Sequence, residues 1–193
     1  MITRIVLTAS AALLALAVAR PAGAQAHFGI SGGASIPESR FGEAVNTGYN
    51  VNGMVNIGIP LSPLGFRAEV GLNHFDFGDA YGNGNVRMIN GSANFILTPS
   101  SIMGAKPYLI GGLGMYNVKS TVGPVTNPVL SGVATSPFAT ESSDTRLGFN
   151  GGLGLTFGLG PIGTMLEARY VSVNGRNGSG SMAFVPVSFG VTF

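Results

Sequence analysis

Apolar and polar residues alternate with a period of two along most of this chain. The clearest stretch covers residues 49–59. Tyr49, Val51, Gly53, Val55, Ile57 and Ile59 alternate there with Asn50, Asn52, Met54, Asn56 and Gly58. Successive side chains of a strand point to opposite faces, so this pattern predicts a strand whose two faces meet different surroundings. Seven further stretches read the same way, at residues 27–36, 66–73, 88–97, 106–119, 147–158, 162–171 and 181–193. In the last one, Ala183, Val185, Val187, Phe189, Val191 and Phe193 share one parity. The 106–119 stretch is the least clear, because apolar residues and glycine occupy both parities. No segment after the first residues has a helical period.

The connections alternate between long and short. Residues 37–48 and 76–86 are polar loops, residues 60–65 form a compact turn with two prolines, and residues 120–145 are the longest gap. Eight strands of about ten residues joined in this way predict an all-β, antiparallel, up-and-down barrel with both termini at its short-turn end. Pro186 is the irregular feature. It lies inside the final strand, where it cannot donate a ladder bond and a closed sheet has no edge to hide the loss. A bulge or one missing inter-strand bond is expected beside it.

Composition decides which face of the sheet points where. Only 9% of residues are Asp, Glu, Lys or Arg, against about 25% in ordinary soluble domains. A soluble barrel would need its outward parity charged, whereas here the second parity is Gly, Ser, Asn and Thr. Eight strands enclose a space just wide enough for side chains, which small polar residues suit. The Phe, Tyr, Val, Ile and Leu parity is therefore expected to face lipid. Tyr49, Phe66, Tyr108, Phe157 and Phe193 fall near strand ends and are expected to form an interfacial aromatic girdle. The chain has no cysteine, which excludes disulfides, thiol catalysis and Cys-based zinc sites.

Residues 1–26 have the plan of a cleavable signal peptide: a short basic start, an apolar run from Ile5 to Ala19, and small residues allowing a cut after Ala24 or Ala26. The mature domain is then residues 27–193. The whole chain carries 10 basic and 8 acidic side chains. Arg4 and Arg20 lie in the leader, so the mature chain has 8 of each and no net charge. Nucleic acid is not an expected partner.

The motifs PYLIGGLGMYNV at 107–118, RAEVGL at 67–72, LEARYV at 166–171 and the terminal VSFGVTF resemble the small outer-membrane β-barrel family, the OmpA/OmpX-like transmembrane domain of Gram-negative bacteria. The resemblance covers nearly the whole mature chain. It implies a transmembrane barrel in the outer membrane with periplasmic termini, surrounded by outer-membrane lipid and monomeric. It further implies handling by periplasmic chaperones and the barrel-assembly machinery, with Val187, Phe189, Val191 and Phe193 as the assembly signal. The chain departs from full-length OmpA in ending at the barrel, so a wall-tethering role is not expected.

Four charged residues stand out within strands. Arg67, Glu69, Glu167 and Arg169 all fall on the inward parity, on strands that lie across an eight-stranded barrel from each other. They are expected to form a lumen ion-pair network that acts as a plug. His74 with Asp76 and a serine from another loop would make a hydrolase conceivable. A rim histidine is the plainer reading. The glycine runs at 111–114 and 151–154 open no helix, so they read as small residues in strands rather than nucleotide loops. Glu141 and Asp144 are too sparse for a calcium site. No catalytic, metal or cofactor residues are assigned, and no cofactor is expected. The expected role is structural or surface-interacting, with 120–145 as the contact loop. A narrow passive channel is the alternative, and a lipid-modifying enzyme comes third.

Overall fold

The computed structural model describes residues 25–78, 83–99, 104–122, 140–159, 162–175 and 180–193. Eight strands run β1 Gln25–Glu38, β2 Gly48–Gly58, β3 Leu64–Asp76, β4 Gly84–Leu97, β5 Ala105–Val122, β6 Thr140–Leu159, β7 Ile162–Val173 and β8 Met182–Thr192. Each pairs with its sequence neighbour, and β1 pairs with β8 to close the barrel. Closure runs from Gly29↔Thr192 to Glu38↔Ala183. Mutual bonds between the main chains of Phe28 and Phe193, at 2.9 and 3.0 Å, complete it. Every strand is thereby paired on both edges around the ring, as hydrocarbon demands.

Parity sorts the side chains as composition requires. Phe95, Leu113, Leu147, Leu153 and Phe189 point outward and are more than half exposed, while Asn50, Asn52, Asn73, Asn90 and Asn94 are buried in the lumen. Strand β5, ambiguous by pattern, presents Leu109, Leu113 and Met115 outward and buries Tyr108, Ile110 and Tyr116. The expected girdle therefore loses a member. Tyr49, Phe66, Phe157 and Phe193 are exposed, but Tyr108 is a lumen residue, because its hydroxyl finds a carboxylate there. Ala183 also departs from its parity. It is buried, and β8 packs against a helix.

That helix, α1, spans Ser39–Ala44 inside the loop expected at 37–48. Six residues carry too little periodicity to show in the pattern. The long gap at 120–145 is also shorter than expected. Strand β5 runs to Val122 and β6 starts at Thr140, with Lys119↔Ser143 and Thr121↔Glu141 in register. These rungs lie past the last outward apolar residue, so no apolar alternation marked them. The leader through residue 24, and residues 123–139, lie outside the described residues.

Pro186 interrupts one ladder. The β7–β8 register runs to Ala168↔Val187 and resumes at Val171↔Phe184 with the same offset, so there is no bulge. The two skipped rungs, Arg169 with Pro186 and Tyr170 with Val185, are those that need an N–H at position 186. The β1–β8 ladder is continuous through Ser35↔Pro186.

Candidate functional site in the barrel lumen

Four inward residues meet at mid-barrel. Arg67 Nη1 donates to Glu167 Oε2 at 2.6 Å, and Arg169 Nη2 donates to Glu69 Oε1 at 2.7 Å. Arg169 Nε lies 2.7 Å from Glu167 Oε1, close enough for charge pairing although the N–H points off line. The chain of charges is thus Arg67–Glu167–Arg169–Glu69, with no net charge. All four are buried, at 2–6% exposure. Burying four charges costs several kcal/mol per ion unless every one is paired, and here each has a partner of opposite sign.

Tyr108 is the member that the pattern of charges missed. Its hydroxyl donates to Glu167 Oε2 at 2.6 Å, and the Arg67 guanidinium carbon sits 5.4 Å from the centroid of its ring. Asn56 Oδ1 accepts from Arg67 Nε at 2.6 Å. The signal for Tyr108 lay on the next strand. Gly154 faces it across the β5–β6 ladder, and a Cβ there would collide with the tyrosine ring. Gly152 makes the same allowance for Arg169 on β7. Inward glycines on β6 are therefore the space into which the large polar side chains of β5 and β7 lie.

Toward the loop end the lumen holds an amide and hydroxyl network. Ser188 Oγ donates to Asn50 Oδ1 at 2.7 Å, Ser35 Oγ donates to Asn73 Oδ1 at 2.9 Å, and Asn73 Nδ2 reaches Asn90 Oδ1 at 3.3 Å. Beyond it stands an apolar stopper. Phe41 of α1 meets Phe75 edge-on at 5.1 Å, and Phe75 meets Phe184 at 5.4 Å. Val45, Val86, Met88, Tyr116, Val118, Val171 and Val173 complete the buried cluster. Helix α1 is tied down by its exit. Gly78 N donates to Ala44 O and Asn46 N to Asp76 O, and Val45 bridges Phe77.

At the turn end the lumen opens into a cavity of about 520 Å³, lined by His27, Asn56, Arg67, Lys106, Thr156 and Thr192 among others, and floored by Tyr108. The lumen is thus open from one end as far as the charged layer, and filled beyond it.

His74 lies elsewhere. Its Nε2 is 3.2 Å from Asp76 Oδ1, and its ring stacks on Tyr49 at 5.2 Å. No serine hydroxyl among the described residues bonds to that ring, so the components of a hydrolytic triad are not assembled there. No group of three or more His, Asp or Glu among the described residues could hold a metal ion. Val187, Phe189 and Val191 line up outward on β8 with Phe193 just past its end, and Phe189 and Phe193 are the most exposed.

The family profile described as Outer membrane protein beta-barrel domain matches residues 8–193. The chain belongs to this family. Its barrel resembles that of Neisserial surface protein A, with a TM-score of 0.65 at 17% identity, over 88% of this chain and 97% of that one. It also resembles a major outer membrane protein from Thermus thermophilus (TM-score 0.56, 14% identity, 87% and 98% covered). The attachment invasion locus protein Ail of Yersinia pestis is similar too (0.53, 13%, 89% and 99%). At these identities the likeness shows the fold. No curated protein sequence matches the chain. The outward apolar face is accordingly a transmembrane surface, and the lumen residues are its interior.

Proposed function

We propose that this chain is a closed, non-conducting outer-membrane barrel with a structural or surface-contact role carried by its loop end, and without catalytic activity. The observation that carries the reading is the double closure of the lumen. A neutral, fully paired charged layer and an apolar stopper fill it at two separate heights. Two of the similar proteins carry names that speak of the surface and of attachment, which fits a role at the cell face. On this reading the short turns and both termini are periplasmic. The extended loop-end rungs of β5 and β6 and helix α1 then face outward from the cell. Val187, Phe189, Val191 and Phe193 serve as the assembly signal, residues 1–26 are the cleaved leader, and the mature barrel works as a monomer.

A narrow passive channel is the second reading, favoured by the turn-end cavity. Single-channel recording in planar bilayers separates the two. The closed barrel gives no discrete steps, and Phe41→Ala stays silent because the charged layer remains. Reproducible conductance steps from the unmodified protein would overturn the closed reading.

A further inference from the structure

The cavity at the turn end is one-sided in charge. His27 of β1, Arg67 of β3 and Lys106 of β5 all line it, and no Asp or Glu does. The sequence explains the asymmetry. None of the chain's eight acidic residues falls within 56–66, 96–106 or 154–166, the segments that carry the three turns and the strand ends beside them. Glu167 lies in the charged layer at the floor, where its oxygens already face Arg67, Tyr108 and Arg169.

The three basic groups have capacity to spare. Arg67 is buried and gives Nε to Asn56 and Nη1 to Glu167. Its Nη2 has no partner among the described residues, yet it is not one of the sealed-off unpartnered atoms. The space it meets is the cavity that Arg67 helps to line. The side chains of His27 and Lys106 have no ion pair or hydrogen bond among the described residues. Lys106 stands two residues from Tyr108 on the same face of β5, about 7 Å along the strand, and the Arg67 guanidinium lies over the Tyr108 ring. The charged layer below is neutral, so nothing in the floor offsets Lys106. Low-dielectric walls focus such a field and concentrate anions in the cleft.

Size and access supply a second observation. The cavity holds about 520 Å³, within the range of roughly 300–1,000 Å³ usual for small-molecule pockets. An inorganic anion would leave most of it empty. The remaining wall offers Ile96 and Met165 for apolar contact, and the hydroxyls of Thr156 and Thr192. At the rim, Gly58 lines the cavity, and a Cβ built there meets nothing within 4 Å.

We infer that this vestibule binds one small organic phosphate monoester taken from solution. Its phosphate lies between Arg67 Nη2, Lys106 and His27, and its body lies against Ile96 and Met165. The donors come from three strands that are not neighbours, so they approach from three directions. A phosphate monoester has three free oxygens to meet them, where a carboxylate has two. The site is inside the sheet and ends at the charged layer, so a solute reaches it through the mouth without leaving a leaflet. Binding there does not depend on whether the lumen conducts.

Titration of phenyl phosphate into the barrel in phosphatidylcholine nanodiscs, read from the Met165 methyl resonance, tests it. The wild type is expected to show a saturable shift, while phenol moves nothing and inorganic phosphate binds more weakly. Lys106→Gln should weaken phenyl phosphate about tenfold, the loss of one hydrogen bond to a charged group. Gly58→Leu should weaken it too, by filling the mouth where the fold leaves space. Lys119→Gln, at the far end of β5, should leave the affinity unchanged. Phosphatidate added to the nanodiscs should not displace the probe. Heat-modifiable gel mobility, unchanged in all variants, shows that the barrel is intact. Wild-type affinity in Lys106→Gln or in Gly58→Leu overturns the site. So do an equal loss in Lys119→Gln, equal binding of phenol, or full displacement by phosphatidate, which would make the ligand a lipid.

Discussion

The two carboxylates of the charged layer are unequal, and that inequality is measurable. Glu167 accepts from Arg67 and from Tyr108 at 2.6 Å each, and its other oxygen lies 2.7 Å from Arg169. Glu69 holds Arg169 through one oxygen, and its Oε2 has no hydrogen-bond partner among the described residues. Glu167→Ala strands the Arg67 guanidinium and the Tyr108 hydroxyl and leaves the layer with a net positive charge. Breaking a buried pair by removing one partner costs about 3–5 kcal/mol. Glu69→Ala takes one charged hydrogen bond from Arg169, which keeps Glu167 beside it, so about 1.5–3 kcal/mol is expected. Replacing the whole layer at once with apolar residues of similar size, Tyr108→Phe included, leaves no orphaned charge and should cost less than Glu167→Ala alone. The assay is urea unfolding in lipid vesicles, followed by the gel mobility of the folded band. Each 1.4 kcal/mol is a factor of about ten in the folded-to-unfolded ratio. Three results would refute the argument: both single variants unfolding with the wild type, Glu69→Ala costing more than Glu167→Ala, or the full replacement being the worst of the three.

Gly154→Ala should force the Tyr108 ring off Glu167, since its Cβ would overlap the ring. Overpacking of this kind costs about 1–3 kcal/mol, and Gly154→Ala/Tyr108→Ala should recover part of it in the same unfolding assay. Pro186→Ala should add a protected amide facing Arg169, seen as a slowly exchanging backbone N–H. Its stability should change by less than about 1 kcal/mol, because the new bond is offset by the freer unfolded chain. Phe193→Ala should leave refolding into vesicles intact, because the bonds between residues 28 and 193 are main chain. It should lower the amount of barrel assembled in cells, and equal amounts would remove Phe193 from the assembly signal.

The strands were legible because each borders two media of opposite polarity. On β2 the asparagines and the β-branched residues could not exchange faces without losing both environments. The four charges were legible for the same reason, since Arg67, Glu69, Glu167 and Arg169 shared a parity that could not face hydrocarbon. On β5 this logic fails, because Tyr108 and Tyr116 look as suited to lipid as Leu109 and Met115. What settles their direction is not on β5. Gly148 and Gly154 on β6 leave the space that Tyr116 and Tyr108 occupy, a pairing visible only once the register is known. The upper rungs of β6 were hidden because Ser142, Ser143 and Thr145 stand clear of the apolar belt. Helix α1 was hidden because its purpose is tertiary: Phe41 has a reason to be buried only when Phe75 of β3, itself packed against Phe184 of β8, meets it.

The seam at Pro186 follows from the same geometry. Adjacent residues of a strand send their N–H and C=O groups to opposite neighbours. The main chain of Val187 faces β1, since its carbonyl approaches Gly33 closely enough to exclude a Cβ there. Residue 186 must then face β7, and the ladder is broken on that side alone. The break leaves the Arg169 carbonyl without its strand donor, on a residue whose side chain is tied to Glu69 across the barrel and lies beside Glu167 on its own strand. An unmet buried carbonyl costs about 1–3 kcal/mol, comparable to what one charged hydrogen bond contributes. The position that loses a main-chain bond is therefore one already anchored through its side chain. That is why a proline is tolerated within a closing strand that has no free edge.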